Sequence, residues 1–273
     1  MQLKNRLEKG IVIALLFVGG ALVSLPFIWM ILSSFKTDRE VLSIPPTLFP
    51  KEPIFEHYIE LFQNLDFDIY LVNTLIIVIW SMFGLLLNTM AGYAFGKFEF
   101  RGKGILFVIV LITLMIPAQV TMIPTYVILN ELGLTNTMTG IVVPGLISAF
   151  NIFLIRQFMV TIPNDLLEAA RLDGAGELFI FLKLILPLSK PIIAVQVILT
   201  FIGAWNSFLW PLIVANDQPY YTLSVGLALL QDQNVTNYGL QMAGSAVMVI
   251  PILIIFVIFQ KQIIEGFNVS GIK

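Results

Sequence analysis

The chain contains no cysteine. Disulfides, thiolate metal sites and thiol nucleophiles are therefore excluded. Histidine is nearly as scarce: His57 is the only one. It sits among acids and apolar residues and reads as a surface residue without a role. Charge is scarce as well. Only 12% of the 273 residues are charged, 58% are hydrophobic, and the mean hydropathy is +0.93. A soluble domain does not carry that balance, whereas a polytopic membrane protein does.

Six long apolar segments supply the excess: about 11–32, 71–95, 105–129, 140–155, 192–214 and 240–259. The first is 22 residues without a charge, enough for about 33 Å of helix. It exceeds the apolar region of a cleaved leader and reads as a span that is retained. Within the second, Gly92 and Gly96 form a GxxxG spacing, which predicts close helix packing. The spacing of these segments predicts an all-α membrane protein with six transmembrane helices in one domain, residues 1–273.

Charge placement orients it. The N-terminus, the 96–104 turn, the 156–190 segment and the tail carry 12 Lys and Arg, against three in the other intervals (Lys36, Arg39 and Lys51). Basic intervals stay inside, so both termini and the 156–190 segment are expected in the cytoplasm.

The centres of the spans lack Asp, Glu, Lys, Arg and His. Carriers driven by ions or protons generally place such groups at mid-membrane, so this absence argues against a secondary transporter. A nucleotide site is missing too. The nearest pattern, Gly92-x-x-x-Gly96-Lys97-Phe98, is one residue short of a phosphate-binding loop and ends in a residue that cannot hold Mg²⁺. Any ATP hydrolysis must come from another chain. Uncharged amides do occur in the spans, and Asn88, Gln119, Asn151 and Asn206 are candidates to line a polar, uncharged pathway suited to hydroxyl-rich solutes. Interhelical hydrogen bonding is the competing account of each.

One polar stretch stands out: IPNDLLEAARLDGAGELFIFLKLILP, residues 162–187. Pro163 can open a helix, and Asn164, Asp165 and Glu168 put cap and acid chemistry in its first turn. Gly174-Ala175-Gly176 ends it. The expectation is an exposed helix of roughly a dozen residues, about 18 Å long, at a membrane face. Links between helices are normally shorter, which favours docking over mere connection.

In this stretch the chain resembles the ABC importer permeases. Glu168-Ala169-Ala170, three residues, Gly174, nine residues and Leu184-Ile185-Leu186-Pro187 match the EAA loop of that family, with Leu184 where Ile is usual. The resemblance implies the type I importer permease fold and a coupling helix seated on a cytoplasmic ATPase through Asp165, Glu168, Ala169, Ala170, Arg171, Asp173 and Gly174. Further matches point to the sugar-importing branch, the maltose and glycerol-phosphate type: Met115-Ile116-Pro117, Leu134-Thr135-Asn136-Thr137, Arg156-Gln157-Phe158, Pro187-Leu188-Ser189 and Trp205-Asn206-x-Phe208-Leu209-Trp210-Pro211. The family's partners are a second homologous permease, two ABC ATPase subunits that hold ATP and Mg²⁺, and an extracellular or periplasmic solute-binding protein. No cofactor is implied in this chain, and no nucleic acid. By the same resemblance, Asp217, Tyr220, Tyr221 and Asp232 of the outer 216–237 interval are candidate contacts to the binding protein. A plain surface loop is the alternative there. The function expected is carbohydrate import. Import of another polar solute, a self-sufficient carrier or channel, and a membrane scaffold are its rivals.

Overall fold

The structure, a computed structural model, describes residues 2–233 and 237–269, with side chains described over 9–231 and 237–261. The described chain is helical, without a strand. Its helices are α1 (Gln2–Ser33), α2 (Asp38–Val41), α3 (Glu56–Asn64), α4 (Phe67–Lys97), α5 (Lys103–Leu114), α6 (Ala118–Glu131), α7 (Met138–Val142) and α8 (Ala149–Thr161), followed by α9 (Asn164–Leu172) and α10 (Glu177–Ile180). A π-helical turn, Phe181–Ile185, then leads into α11 (Leu186–Leu188), α12 (Lys190–Trp205), α13 (Leu209–Val214), α14 (Leu223–Gln233) and α15 (Tyr238–Val269).

Among the described residues, five stretches are long and apolar enough to cross a membrane: Lys9–Ser33, Phe67–Lys97, Met138–Thr161, Lys190–Val214 and Tyr238–Lys261. The expected third span differs. It is α5 and α6, bent by 104° across a short break. Pro117 explains the break. It has no N–H to donate back, and it drives the residue before it out of helical geometry.

Two compact units are distinguishable. One comprises Met1–Asp68 and Leu227–Ile250. In it, the apolar side chains of α1 are exposed from Ile11 to Ile28, as suits a helix whose neighbour is lipid. Beyond α1 the chain folds tightly. Lys36 is fully buried, its Nζ donating to the Thr47 carbonyl and lying 4.5 Å from the Trp29 ring centroid. His57 is also buried, contrary to its expected surface position. Its Nε2 pairs with the Lys36 carbonyl at 2.9 Å, and a Cβ added at Gly239 would meet that nitrogen at 2.2 Å. The Gly239 N–H donates to Asp38 Oδ1 at 2.9 Å.

The second unit, Ile69–Gly226 with Pro251–Lys273, contains the candidate site. Its organising contact is α4 on the 146–159 stretch. Gly84, Asn88, Gly92 and Gly96 recur every four residues and so share a face of α4. A Cβ added at Gly84 would lie 2.4 Å from the Leu146 carbonyl oxygen, one at Gly92 2.6 Å from Ile155 Cγ2, and one at Gly96 2.6 Å from Met159 Cβ. The GxxxG spacing thus marks close backbone approach, as expected from the sequence.

Candidate functional site

The α9 helix is amphipathic, and its two sides have different fates. Leu167 is buried in a cluster with Leu85, Tyr93, Ile155, Met159 and Ile180, and Ala170 and Ala175 pack against that cluster. Asp165, Glu168, Ala169, Arg171, Asp173 and Gly174 are exposed. Of the seven residues expected to dock a partner, Ala170 is the one turned partly toward the chain's own core.

Both ends of α9 are tied. Asn164 does not cap the helix as its position suggested. Its Oδ1 accepts from Lys97 Nζ at 2.8 Å, and the same ammonium donates to the Ile162 carbonyl. The last residue of α4 therefore holds the junction between α8 and α9. At the other end Gly174 adopts φ +82°, the Ala175 N–H donates to Ala170 O and the Gly174 N–H to Arg171 O, each at 3.0 Å. This is a Schellman turn, in which a left-handed glycine satisfies the helix's last carbonyls.

Across that turn Arg171 Nε donates to Glu177 Oε1 at 2.7 Å, and Tyr93 Oη lies 3.5 Å from Glu177 Oε2. The hydrogen bond with Glu177 raises the Arg171 pKa above its ordinary value. Arg171 was expected to offer its charge to a partner, but it is already paired, although an exposed pair of this kind contributes only up to about 1 kcal/mol. Asp165, Glu168 and Asp173 form no ion pair among the described residues, so the exposed surface of α9 presents three free carboxylates. Leu172 stands out among them at 89% exposed. Lys97, Tyr93 and Glu177 were missed by sequence reasoning. Lys97 lies 65 residues from its carbonyl partner and carries no local signal of it.

A cavity of about 650 Å³ lies between α4, α6, α8 and α12. Asn88 and Asn151 line it, whereas Gln119 and Asn206 are exposed and do not. Asn88 is fully engaged with backbone: its Nδ2 donates to Leu146 O at 3.2 Å, and its Oδ1 accepts from Ser148 N at 3.1 Å. Asn151 Nδ2 donates to Thr200 Oγ1 at 3.4 Å. The rest of the polar lining is hydroxyl groups and an indole that sequence reasoning passed over, among them Ser81, Thr121, Thr125, Ser207 and Trp210. Among the described residues, no acidic or basic side chain lines it.

The outer interval is more structured than a loop. A 3-10 turn, Gln218–Tyr220, precedes α14. Asn136 anchors its start: Nδ2 donates to Asp217 Oδ2 at 2.6 Å, and Oδ1 accepts from the Asn216 and Asp217 N–H groups at 2.9 and 3.1 Å. Asn73 Nδ2 donates to the carbonyls of Pro219 and Tyr221 at 2.7 and 2.9 Å. Asp217 is exposed, while Tyr220 and Tyr221 are half-buried. The side chain of Asp232 lies outside the described residues.

Comparison with known proteins places this architecture. Residues 88–266 match the family described as binding-protein-dependent transport system inner membrane component. The chain is 34% identical over 267 residues to the arabinooligosaccharides transport system permease protein AraQ of Halalkalibacterium halodurans, covering 95% of this chain and 96% of that one. It is 32% identical over 255 residues to the diacetylchitobiose uptake system permease protein NgcG of Streptomyces coelicolor, covering 92% and 84%. Among solved structures, a chain of a bacterial ABC transporter involved in the import of the acidic polysaccharide alginate superposes with a TM-score of 0.80 at 25% identity, over 94% of this chain and 97% of that one. With an all-α fold of several membrane-length helices and a family match over most of its length, the chain is a multi-pass membrane protein and belongs to the family of binding-protein-dependent transport system inner membrane components.

Proposed function

We propose that this chain is the membrane subunit of an ATP-driven importer of neutral oligosaccharides, coupled to its ATPase through α9. The observation that carries the reading is mechanical. A helix fixed to its own core by Leu167, by Lys97 and by a Schellman turn still exposes Asp165, Glu168 and Asp173. Such a helix transmits a push from a basic groove on a cytoplasmic partner as a rigid-body movement of α4 and α8, switching the cavity between the two sides of the membrane. ATP and Mg²⁺ reside on that partner, present in two copies. A second homologous permease completes the pathway, and a solute-binding protein delivers substrate to the outer surface, where Asp217 is exposed. Both termini and α9 face the cytoplasm in this reading, which the distribution of Lys and Arg supports.

The substrate class rests on the cavity and the relatives together. Hydroxyls, amides and an indole suit sugar hydroxyls and ring faces. A uronate or phosphate ester calls for a cation, and none lines the cavity among the described residues. The relatives named for arabinooligosaccharides and diacetylchitobiose fit this chemistry better than the alginate importer does.

The test begins with a chain that has no native cysteine. Asp165→Cys in sealed cells is expected to resist an impermeant maleimide until the membrane is opened. Vesicles holding the chain with its co-purified partners are expected to take up a labelled neutral oligosaccharide only with ATP and binding protein. Uptake by this chain alone without ATP would overturn the reading.

A further inference from the structure

A second pocket of about 410 Å³ lies where α4 ends and α5 begins, against α8. Phe95, Phe100, Phe107, Lys103, Gly104 and Arg156 line it, together with Glu99 and Gly102. Arg156 is its unusual member. Its guanidinium carbon lies 4.5 Å from the Phe107 ring centroid, and Nη1 donates to Gln157 Oε1 at 3.3 Å. Its Nε is buried and has no hydrogen-bond partner, and the residue forms no ion pair among the described residues. A buried, unpaired N–H on a charged group is destabilising, and a guanidinium is shaped to give two parallel N–H groups to one phosphate.

The surroundings point to where such a phosphate comes from. One membrane-length helix ends at Lys97 and α5 starts at Lys103, so the pocket lies at the level of the lipid headgroups, whichever side of the membrane this is. A Cβ added at Gly104 would meet nothing within 4 Å, which leaves room beside the first turn of α5. Lys103 Nζ donates to Phe98 O at 2.8 Å and to Glu99 Oε1 at 2.9 Å, so it has one donor left. Glu99, the carboxylate in the pocket, is 90% exposed in its side chain, so its solvent-screened pair with Lys103 holds it only weakly. Just beyond the pocket Ile105, Val108, Ile109 and Ile112 are more than half or close to half exposed along α5, an apolar track for acyl chains.

We propose that this pocket binds the phosphate of an anionic membrane phospholipid. Arg156 grips the phosphate, Lys103 supports it, and the phenylalanine rings cover the glycerol region. Lipid held there would brace the α4–α5 turn on the α8 segment that leads to α9. The site stands apart from the transport reading, because binding is measured without transport.

The experiment is native mass spectrometry of the full chain in detergent, with phosphatidylglycerol or phosphatidylcholine added, and inorganic phosphate as a competitor. Wild-type protein is expected to retain phosphatidylglycerol over phosphatidylcholine. Arg156→Gln is expected to lose about tenfold in that retention, the worth of one charge-assisted bond set, and Arg156→Lys to recover part of it. Circular dichroism of both variants serves as the check that they fold. Equal retention by wild type and Arg156→Gln would overturn the site. Displacement by millimolar inorganic phosphate alone would overturn its assignment to lipid.

Discussion

Lys97 Nζ lies 2.8 Å from Asn164 Oδ1, so the final residue of α4 grips the first residue of α9. The same ammonium closes on the Ile162 carbonyl, at the point where α8 ends and the chain turns. Under the proposed coupling, a push on α9 would be delivered to α4 as well as to α8.

Replacing Lys97 with Met keeps the aliphatic stem and removes both bonds. Hydrogen bonds from a charged donor contribute about 1.5–3 kcal/mol, reduced here because Lys97 is only partly buried. The expected outcome is a folded protein in which more ATP is hydrolysed per solute moved, by several-fold. The ratio of uptake to phosphate release in reconstituted vesicles measures it. An unchanged ratio would show that the grip on α9 does not transmit force.

Gly174 is needed for its backbone and not for space, since a Cβ there meets nothing within 4 Å while φ is +82°. A β-branched residue is strained in that region, whereas Asn and Asp visit it more readily. Gly174→Val is therefore expected to unwind the Schellman turn and abolish ATPase capture. Gly174→Asn is expected to keep most of it. Gly174→Asp keeps the turn but adds a fourth carboxylate beside Asp165, Glu168 and Asp173, so a loss there in excess of Asn reports on docking electrostatics. Pull-down of the ATPase ranks the three. ATPase capture by Gly174→Val as good as that by Gly174→Asn would defeat this account.

Close packing of α4 makes the opposite prediction at Gly92. Its added Cβ would lie 2.6 and 2.8 Å from Ile155 Cγ2 and Cβ, on a side chain that is itself fully buried. Overpacking of this kind costs about 1–3 kcal/mol. Gly92→Ala is expected to lower the thermal midpoint of the purified protein by several degrees. Gly20→Ala, in α1 with nothing within 4 Å, is expected to leave it unchanged.

What the sequence made legible was local. The stop at Gly174 follows from helix-ending chemistry within six residues, and the α4 contact follows from small residues repeated every fourth position. The break at Pro117 was visible as a proline inside an apolar run, but the 104° bend was not, because proline ends a helix without setting the direction of the next one. The burial of His57 was illegible: it depends on Lys36 and on Gly239, 182 positions away. Arg171 looked available because its partner Glu177 lies across a glycine turn and off the helical repeat. The hydroxyl lining of the cavity was overlooked for a physical reason. Thr121 and Thr125 bond to the carbonyls of Ala118 and Thr121, so a threonine inside a membrane helix pays no visible penalty that would flag it.

The cavity separates the four amides into two pairs, and this gives a discriminating experiment. Thr121 lies on α6 and lines the space between α4, α8 and α12, while Gln119, two positions earlier, does not. Thr121→Trp places an indole in the cavity of about 650 Å³ and fills part of it. Because the change faces open volume and leaves α9 untouched, assembly with the ATPase and basal hydrolysis are expected to persist. Solute uptake is expected to fall by an order of magnitude. Asn151→Ala removes a cavity-lining amide along with its bond to Thr200 and is expected to raise the solute concentration for half-maximal uptake. Gln119→Ala and Asn206→Ala are expected to leave uptake within experimental scatter. Uptake measured across all four variants in the same vesicles decides the matter. If Gln119→Ala or Asn206→Ala impaired transport while Thr121→Trp did not, the solute would travel along a different surface of these helices.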